Sequence, residues 1–434
     1  MASDFSRQRF DPGKDFCAVL MQQGRVHLDA EWNELVELLD RRLRAQTIDT
    51  IGRAVVPRET ADAFKIDSDF RGSVTIGAGR MYVDGLLAEN HGVNPDLDPI
   101  LGERNGGGVI PYIDQPYFRT GLPVKLPEGN LGHLFFLEVW QREITSLEDS
   151  ALLEPAVAVE TASRLQTVWR VRVLENLPAD VTCEKGLTEH ETWKAITRPS
   201  DGRLSTRAVG VDDDDDPCIL PPAGGYRGVE NRLYRVQIHN GGSATAGGAT
   251  FKWSRDNASV CTAVTSVQGA KLTVETVSLD EARSFNFEDW VELTDDIREL
   301  AGQPGALFKI AGVEEATSEI TLGGTIPADL IPSGAGSDTC ATRHTRLIRW
   351  DQSGRVKDDA GAVILDLNAG STGAIPVPSA GNSILIPAWR TCRLSFSPRI
   401  QNRSARRSSA TGKAWTPIPS ATGLHTRRLQ KPMC

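Results

Sequence analysis

The first strong hydrophobic pattern in the chain predicts a helix. Apolar side chains recur there at spacings of three and four residues, which is the period of one helix face. They are Trp32, Leu35, Val36, Leu39 and Leu43. We expect a helix over residues 30–51, with Asp29 capping its first amides and Gly52 closing it. The apolar face packs either on its own domain or against the same helix in other copies.

After the helix, short alternating runs predict β-strands. In the first half of the chain these strands are residues 73–76, 80–89, 134–140 and 168–174. The run at 134–140 is apolar except for Glu138, so we expect both of its faces to be covered. The run at 168–174 alternates, so we expect one of its faces to meet water. Residues 147–165 predict a short helix between them.

A second series of strands follows a region rich in Pro, Gly and Asp. The segment 228–239 is expected to end in a strand that neighbours residues 250–257 across a glycine turn. The further predicted strands are residues 271–277, 290–294, 307–313, 319–322 and 345–350.

These patterns predict a mainly β protein with an N-terminal α-helix and several short-stranded β domains of sandwich or barrel type. The predicted segments are an N-terminal extended segment and helix (1–55), a first β-rich domain (56–180), a linker (181–227), a second β-rich domain (228–389) and a basic irregular tail (390–434). At 434 residues the chain is long enough for two or three domains with real cores.

Charge and hydropathy exclude two classes of partner. The formal net charge of −9 does not support a nucleic-acid partner, which usually requires a basic face. No apolar run reaches the roughly 18 residues that cross a bilayer, so we expect no direct membrane insertion.

The C-terminal tail differs sharply in charge from the rest of the chain. Residues 390–434 contain ten Lys or Arg and no Asp or Glu. Three interpretations stay open: a disordered basic arm, an irregular segment held on an acidic partner, and an altered reading frame.

No catalytic, cofactor or metal motif is present, so we expect no enzyme activity and no cofactor. The seven His are isolated, and the seven Cys form no CxxC pair. The aspartate run at 212–216 lacks the alternation and the glycine of a calcium loop, so it predicts a solvated loop. Three acids, Glu230, Asp256 and Glu288, are available for glycosidase chemistry, but their spatial separation cannot be derived from the sequence.

One cluster permits a binding hypothesis. Trp253 could stack on a sugar ring while Asp256 and Asn257 bind its hydroxyls. The competing interpretation is a structural turn in which Asp256 or Asn257 caps the backbone.

Four segments carry a resemblance to a known group of proteins. They are DFSRQRFDP (4–12), LMQQGRVHLDAEWNE (20–34), GVENRLYRVQIHNGG (228–242) and ATFKWSRDNASV (249–260). The sequence resembles a family encoded in gene clusters of phage-tail-like extracellular contractile injection systems. Residues 384–390 resemble the start of that family's C-terminal segment, and the residues that follow depart from it.

The resemblance implies a structural component of the particle at the baseplate or an attached appendage. Its partners would be baseplate, spike or sheath proteins, and the favoured oligomer is a homotrimer. The particle would be assembled in the bacterial cytoplasm and be released or act outside the cell. The expected assembly surface comprises Phe5, Phe10, Trp32, Leu35, Val36, Leu39 and Leu43. The alternative is a carbohydrate-binding or fibre-like adhesin using Trp253, Asp256 and Asn257.

Overall fold

A computed structural model describes most of the chain. The described residues are 3–6, 8–68, 73–93, 108–118, 132–178, 180–181, 186–197, 204–208, 233–243, 248–277, 283–336, 338–358, 361–370, 372–377, 383–385, 392–396, 399–400, 404–408 and 429–432. The predicted aspartate loop at 212–216 and Glu230 lie outside them.

Within these residues the protein is mainly β, as predicted. The α-helices are α1 (Asp29–Ile51), α2 (Glu191–Thr197) and α3 (Asp296–Ala301). The strands are β1 (Ala54–Val55), β2 (Ile66–Ser68), β3 (Val74–Gly77), β4 (Gly79–Val83), β5 (Leu86–Asn90), β6 (Val109–Pro111), β7 (Gly132–Ile144), β8 (Leu153–Glu154), β9 (Val159–Glu160), β10 (Arg164–Leu177), β11 (Leu204–Ala208), β12 (Leu233–Asn240), β13 (Gly242–Ser243), β14 (Thr250–Ser254), β15 (Cys261–Gln268), β16 (Lys271–Val274), β17 (Trp290–Thr294), β18 (Ala306–Glu314), β19 (Glu319–Leu322), β20 (Arg346–Trp350), β21 (Arg355–Asp358), β22 (Val363–Asp366), β23 (Ile375–Pro376), β24 (Ser383–Leu385), β25 (Cys392–Phe396), β26 (Arg399–Ile400), β27 (Ser404–Ser408) and β28 (Leu429–Pro432).

The chain divides into two compact units. One unit comprises residues 1–36, 144–163 and 200–423, and the other comprises residues 37–143, 164–199 and 424–434. The partition falls within α1, between Val36 and Glu37. No helix in the described part of the chain is long and apolar enough to cross a membrane.

The smaller unit is built from three-stranded sheets. Their strand orders are β1-β4-β5, β2-β3-β6 and β10-β7-β28. Phe64 and Trp169 meet edge to face in its core, with ring centroids 4.9 Å apart. The predicted strand at 80–89 is two strands, β4 and β5, because Asp84 and Gly85 form a turn with positive φ.

One expectation about this unit is wrong. Residues Val168 to Val171 of β10 are all buried, so neither face of the strand meets water there. Arg170 is tolerated in the interior because its guanidinium donates to the Glu138 carboxylate at 2.5 Å. A buried polar group requires such a partner, and alternation along one strand cannot indicate that a partner exists.

The larger unit contains a closed barrel. Its strands follow the order β15-β16-β19-β18-β17-β20, and β20 pairs with β15 to complete the circle. The predicted strand positions from 271 to 350 are confirmed within a few residues. Inward-facing apolar side chains fill the barrel, including Leu272, Leu293, Ile320 and Leu347, each 0% exposed. Closure leaves no unpaired strand edge.

The larger unit also contains two larger sheets and the two-stranded sheets β13-β26 and β8-β9. The orders of the two larger sheets are β11-β25-β24-β21-β22 and β23-β14-β12-β27, and the predicted neighbours β12 and β14 do pair. Residues 147–165 contain a 3-10 helix of one turn at Ser150–Leu152 and the β8–β9 hairpin, so the predicted short helix is present but limited to three residues. Four strands, β25 to β28, lie within residues 390–434, so the described part of the predicted irregular tail includes paired strands.

Candidate assembly surface

The N-terminal arm, defined as residues 13–28, is almost entirely exposed. It contains no strand or helix beyond the one-turn 3-10 helix Pro12–Lys14 at its start. Its apolar side chains extend into solvent: Leu20 is 85% exposed, Val26 81% and Phe16 55%. A sequence this apolar normally packs against something.

Local turns give the arm its course. The Asp11 carboxylate accepts from the Gly13 amide at 3.0 Å and starts the 3-10 helix, and Asp15 ends it in the left-handed conformation. Gly24 has φ +68°, where an L side chain is strained, and the Arg25 amide donates to the Gln22 carbonyl at 3.3 Å. The arm is therefore two extended runs joined by one turn.

Polar contacts fix the residues before the arm to the start of α1. The Ser6 amide and hydroxyl donate to the Asp29 carboxylate at 2.9 and 2.6 Å, and Arg9 pairs with Glu31 at 3.2 Å. Burial alone would raise the pKa of Asp29, but the hydrogen bonds from Ser6 and from the backbone amides of Asp29 and Ala30 together outweigh burial and lower that pKa. Both ends of the arm are thus anchored, and only the residues between them project.

Helix α1 presents an apolar stripe to solvent. Trp32 is 70% exposed, Val36 50%, Leu39 49% and Leu43 64%. These four residues are called the helix stripe below. The predicted helix is confirmed, and it starts at Asp29. Of the two arrangements left open for the predicted face, packing on the helix's own domain does not cover these four residues. The buried positions of the helix are Ala30 and Leu38, and Leu35 is half-buried.

The spacing of the helix stripe suits a helix partner. Its members follow one another at intervals of four, three and four residues, which is the a/d alternation that meets another helix knobs-into-holes. At about 1.5 Å per residue the stripe is about 16 Å long. It is too short to hold two helices together alone, so the arm is needed as additional apolar surface.

Other predicted assembly residues are placed differently. Phe10 is 5% exposed and packs within its own chain, so it does not belong to the surface. Phe5 and Leu35 are half-buried. The apolar density of the sequence at Phe16, Val19 and Leu20 predicts a covered surface there. Val26 is missed, because nothing in its spacing distinguishes an exposed arm from an ordinary strand.

The predicted sugar cluster does not form a site. Trp253 is 0% exposed and lies in the core cluster with Phe251, so no sugar can stack on it. Asn257 is also fully buried: its amide donates to the Ser3 carbonyl at 2.8 Å, and its φ is +56°. The interpretation as a structural turn is confirmed for Asn257. Asp256 alone remains accessible, as a lining residue of a surface cleft.

The interior of the larger unit holds an ionic group that no sequence motif indicates. Lys252 is 0% exposed and pairs with Glu292. Glu292 also accepts from the Trp350 indole at 2.9 Å and from the Gly305 amide at 2.8 Å. Burial would raise the pKa of Glu292, but Lys252, His239 and the Gly305 amide together outweigh burial and lower that pKa. Burial lowers the pKa of the nearby His239 to about 4, with Lys252 adding to the effect.

The interior group is held by contacts within the fold. Lys252 and Glu292 are withdrawn from solvent, and the Lys252 ammonium lies 4.5 Å from the centre of the Trp350 ring. The described residues contain no group of His, Cys, Asp or Glu placed to hold a metal ion.

Comparison with known proteins finds one family. A model described as a family of unknown function (DUF6519) matches residues 1–200 and 199–375. The matched stretches include the arm, α1 and the barrel. No curated protein and no solved structure matches the chain.

Proposed function

The chain belongs to the family of unknown function DUF6519, and we propose that it is a structural component of a phage-tail-like contractile injection particle. It acts at the baseplate or an attached appendage, through contacts with other subunits rather than by turnover. The observation that carries the proposal is the apolar surface of the arm and the helix stripe, which lies uncovered in the single chain.

Energetics support a covered surface. Burying apolar area stabilises by about 25 cal/mol per Å², and a fully buried Leu or Val contributes about 1.5–3 kcal/mol. Seven large apolar side chains on the arm and the helix stripe are each about half or more exposed. In the single chain they therefore lose much of this stabilisation from burial. They are Phe16, Leu20, Val26, Trp32, Val36, Leu39 and Leu43. Isolated exposed Leu residues need no explanation, but a continuous stripe on one helix does.

The favoured arrangement is a homotrimer in which three copies of α1 meet along the helix stripe. The arms then lie across neighbouring copies or across baseplate, spike or sheath subunits. Cyclic symmetry places identical stripes around one axis, so each stripe is covered by the others. The resemblance of residues 4–12 and 20–34 to injection-particle proteins supports the particle as the place of assembly. Assembly takes place in the bacterial cytoplasm, and the finished particle acts outside the cell.

A charge on the helix stripe tests the self-association. Leu39→Asp places a carboxylate where burial costs several kcal/mol, so sedimentation velocity should show the oligomer of the full chain dissociating to monomer. Ala45→Asp is the matched control, because Ala45 is an exposed position of the same helix outside the stripe. A wild-type mass for the Leu39→Asp variant, with α1 still folded, would contradict the shared helix.

The arm carries its own reporter for contacts within the particle. Cys17 is an exposed free cysteine, whereas Cys340 is buried. Alkylation mapped by mass spectrometry should modify Cys17 rapidly in the isolated protein and slowly in purified particles, since a partner covers the arm there. Equal rates in both states would show that the arm is not covered in the particle.

A further inference from the structure

The β8–β9 hairpin is a second uncovered apolar surface of the larger unit. It comprises residues 153–160, and its strands form two residue pairs, Leu153 with Glu160 and Glu154 with Val159. In the described part of the chain no third strand pairs with either edge of the hairpin. We propose that the hairpin is the docking site for the N-terminal arm of a second copy of this chain. This docking rests on the proposed self-association and adds the surface that receives the arm.

The side chains of the hairpin lack cover in the single chain. Leu153 is 42% exposed, Val157 57% and Val159 54%. A two-stranded hairpin on its own is marginally stable in water, and a third strand with an apolar face stabilises it. An unpaired strand edge is also a template for pairing with a segment of another chain. The hairpin therefore offers a partner both apolar side chains and a strand edge.

The first run of the arm has the properties of such a strand. Phe16, Leu20 and Met21 are exposed, and no backbone hydrogen bond holds residues 16–21 in the described part of the chain. Their amides and carbonyls can therefore pair with a strand edge. Six residues span about 20 Å when extended, and one four-residue side of the hairpin spans about 13 Å. The run is long enough to follow the hairpin along its whole length.

Charges of opposite sign flank the two apolar stretches. Glu154 and Glu160 lie on either side of the hairpin tip. Lys14 precedes the apolar run of the arm and Arg25 follows it, with Asp15 as the only acid of the arm. Complementary charges steer association, suppress wrong partners and fix the register of an interface. This complementarity favours the arm over a neutral or acidic segment as the occupant of the hairpin.

The arm that docks comes from another copy. Both ends of the arm are anchored to the start of α1, and Leu20 and Val157 remain exposed in the single chain. The arm and the hairpin belong to the same unit, and they are two different surfaces. A contact between different surfaces of identical chains is head to tail and closes into a ring. Each copy of a homotrimer then gives its arm to one neighbour and receives the arm of the other.

Cross-linking between copies of the full chain tests the docking. One copy keeps Cys17, which is exposed on the arm. A co-expressed copy of different mass carries Cys17→Ser and Val157→Cys. A short bismaleimide should join the two thiols, and tandem mass spectrometry should identify a peptide pair that can form only between copies. In the control Val363→Cys replaces Val157→Cys, because Val363 is 49% exposed in the same unit and lies outside the hairpin.

Docking raises the effective concentration of the two thiols, so the pair with Val157→Cys should form at least about tenfold more often than the control pair. Equal yields of the two pairs in an oligomer of wild-type mass would overturn the docking and leave the self-association standing. A chain that sediments as a monomer would contradict both.

A charge in the hairpin gives a second readout. Val157→Asp places a carboxylate in an apolar contact and should weaken self-association at least about tenfold in sedimentation at several concentrations. Val363→Asp is the matched control and should associate as the wild type does. Because both positions are exposed, neither variant should alter folding. An unchanged association constant in Val157→Asp would overturn the docking, whereas Leu39→Asp reports separately on the helix stripe.

Discussion

The barrel and the N-terminal region are both rich in apolar residues, yet one covers them and the other does not. In the barrel, Leu272, Leu293 and Leu347 are 0% exposed, because six strands close on themselves and leave no edge. In the N-terminal region, Leu20 and Trp32 are 85% and 70% exposed. An apolar pattern thus shows that a face needs cover, but it does not show which molecule supplies the cover.

The largest effect should come from the buried ion pair behind the barrel wall. Lys252→Met removes the ammonium and leaves the Glu292 carboxylate uncompensated at 5% exposure. Breaking such a pair costs about 3–5 kcal/mol, which denaturant unfolding would measure. The double variant Lys252→Met, Glu292→Gln should recover much of the loss, since no charge is then stranded. A loss under about 1 kcal/mol in the single variant would contradict the interior role of the pair.

A cavity in the barrel should follow closely. Leu293 lies on β17 at 0% exposure within the main apolar cluster. Leu293→Ala removes buried methyl groups and leaves a cavity, so we expect a loss of about 2–5 kcal/mol in the free energy of unfolding. The same Leu-to-Ala change on the helix stripe should cost much less stability. The difference between the two losses measures how differently the barrel and the helix stripe are covered.

The sequence predicts the elements of this fold better than it predicts their partners. The helix α1 and most strands between residues 271 and 350 follow from period and turn residues alone. Barrel closure does not, because β15 pairs with β20, with Cys261 opposite Ile348, and no local pattern encodes a partner that far along the chain. The hydrophobic period of a helix also cannot show whether its apolar face packs on the core of its own chain or against another subunit.

The candidate sites were predicted only in part, for the same reason. Trp253 alternates with polar neighbours and reads as a surface aromatic, yet both faces of β14 are covered. Asp289 and Gln352 line one surface cleft, although they are 63 residues apart in the sequence and carry no motif. They come to one cleft only through the pairing of β17 with β20.

The pH dependence of the larger unit should reflect His239. Burial holds its pKa in the folded protein at about 4, below the ordinary value of about 6.5, so the unfolded chain binds the proton first as the pH falls. Stability should decrease from about pH 6.5 down to about pH 4, by about 3 kcal/mol at most from this residue. The charges of Lys252 and Arg298 lower the pKa of His239 further. The charge of Glu292 raises that pKa but does not reverse the downward shift. His239→Gln should flatten that part of the curve, and an unchanged slope in the variant would contradict the assignment.

The smallest effect on the isolated chain should come from the helix stripe itself. Leu39 is 49% exposed, and Leu and Ala have similar helix propensities, so Leu39→Ala should change the stability of the monomer by less than about 0.5 kcal/mol. The measurement must be made at two protein concentrations. At high concentration the variant should lose more stability than at low concentration, because it weakens a contact between copies and oligomer stability depends on mass action. A loss of about 1 kcal/mol or more that is independent of concentration would show that the chain covers Leu39 itself, and the contrast with Leu293 would then disappear.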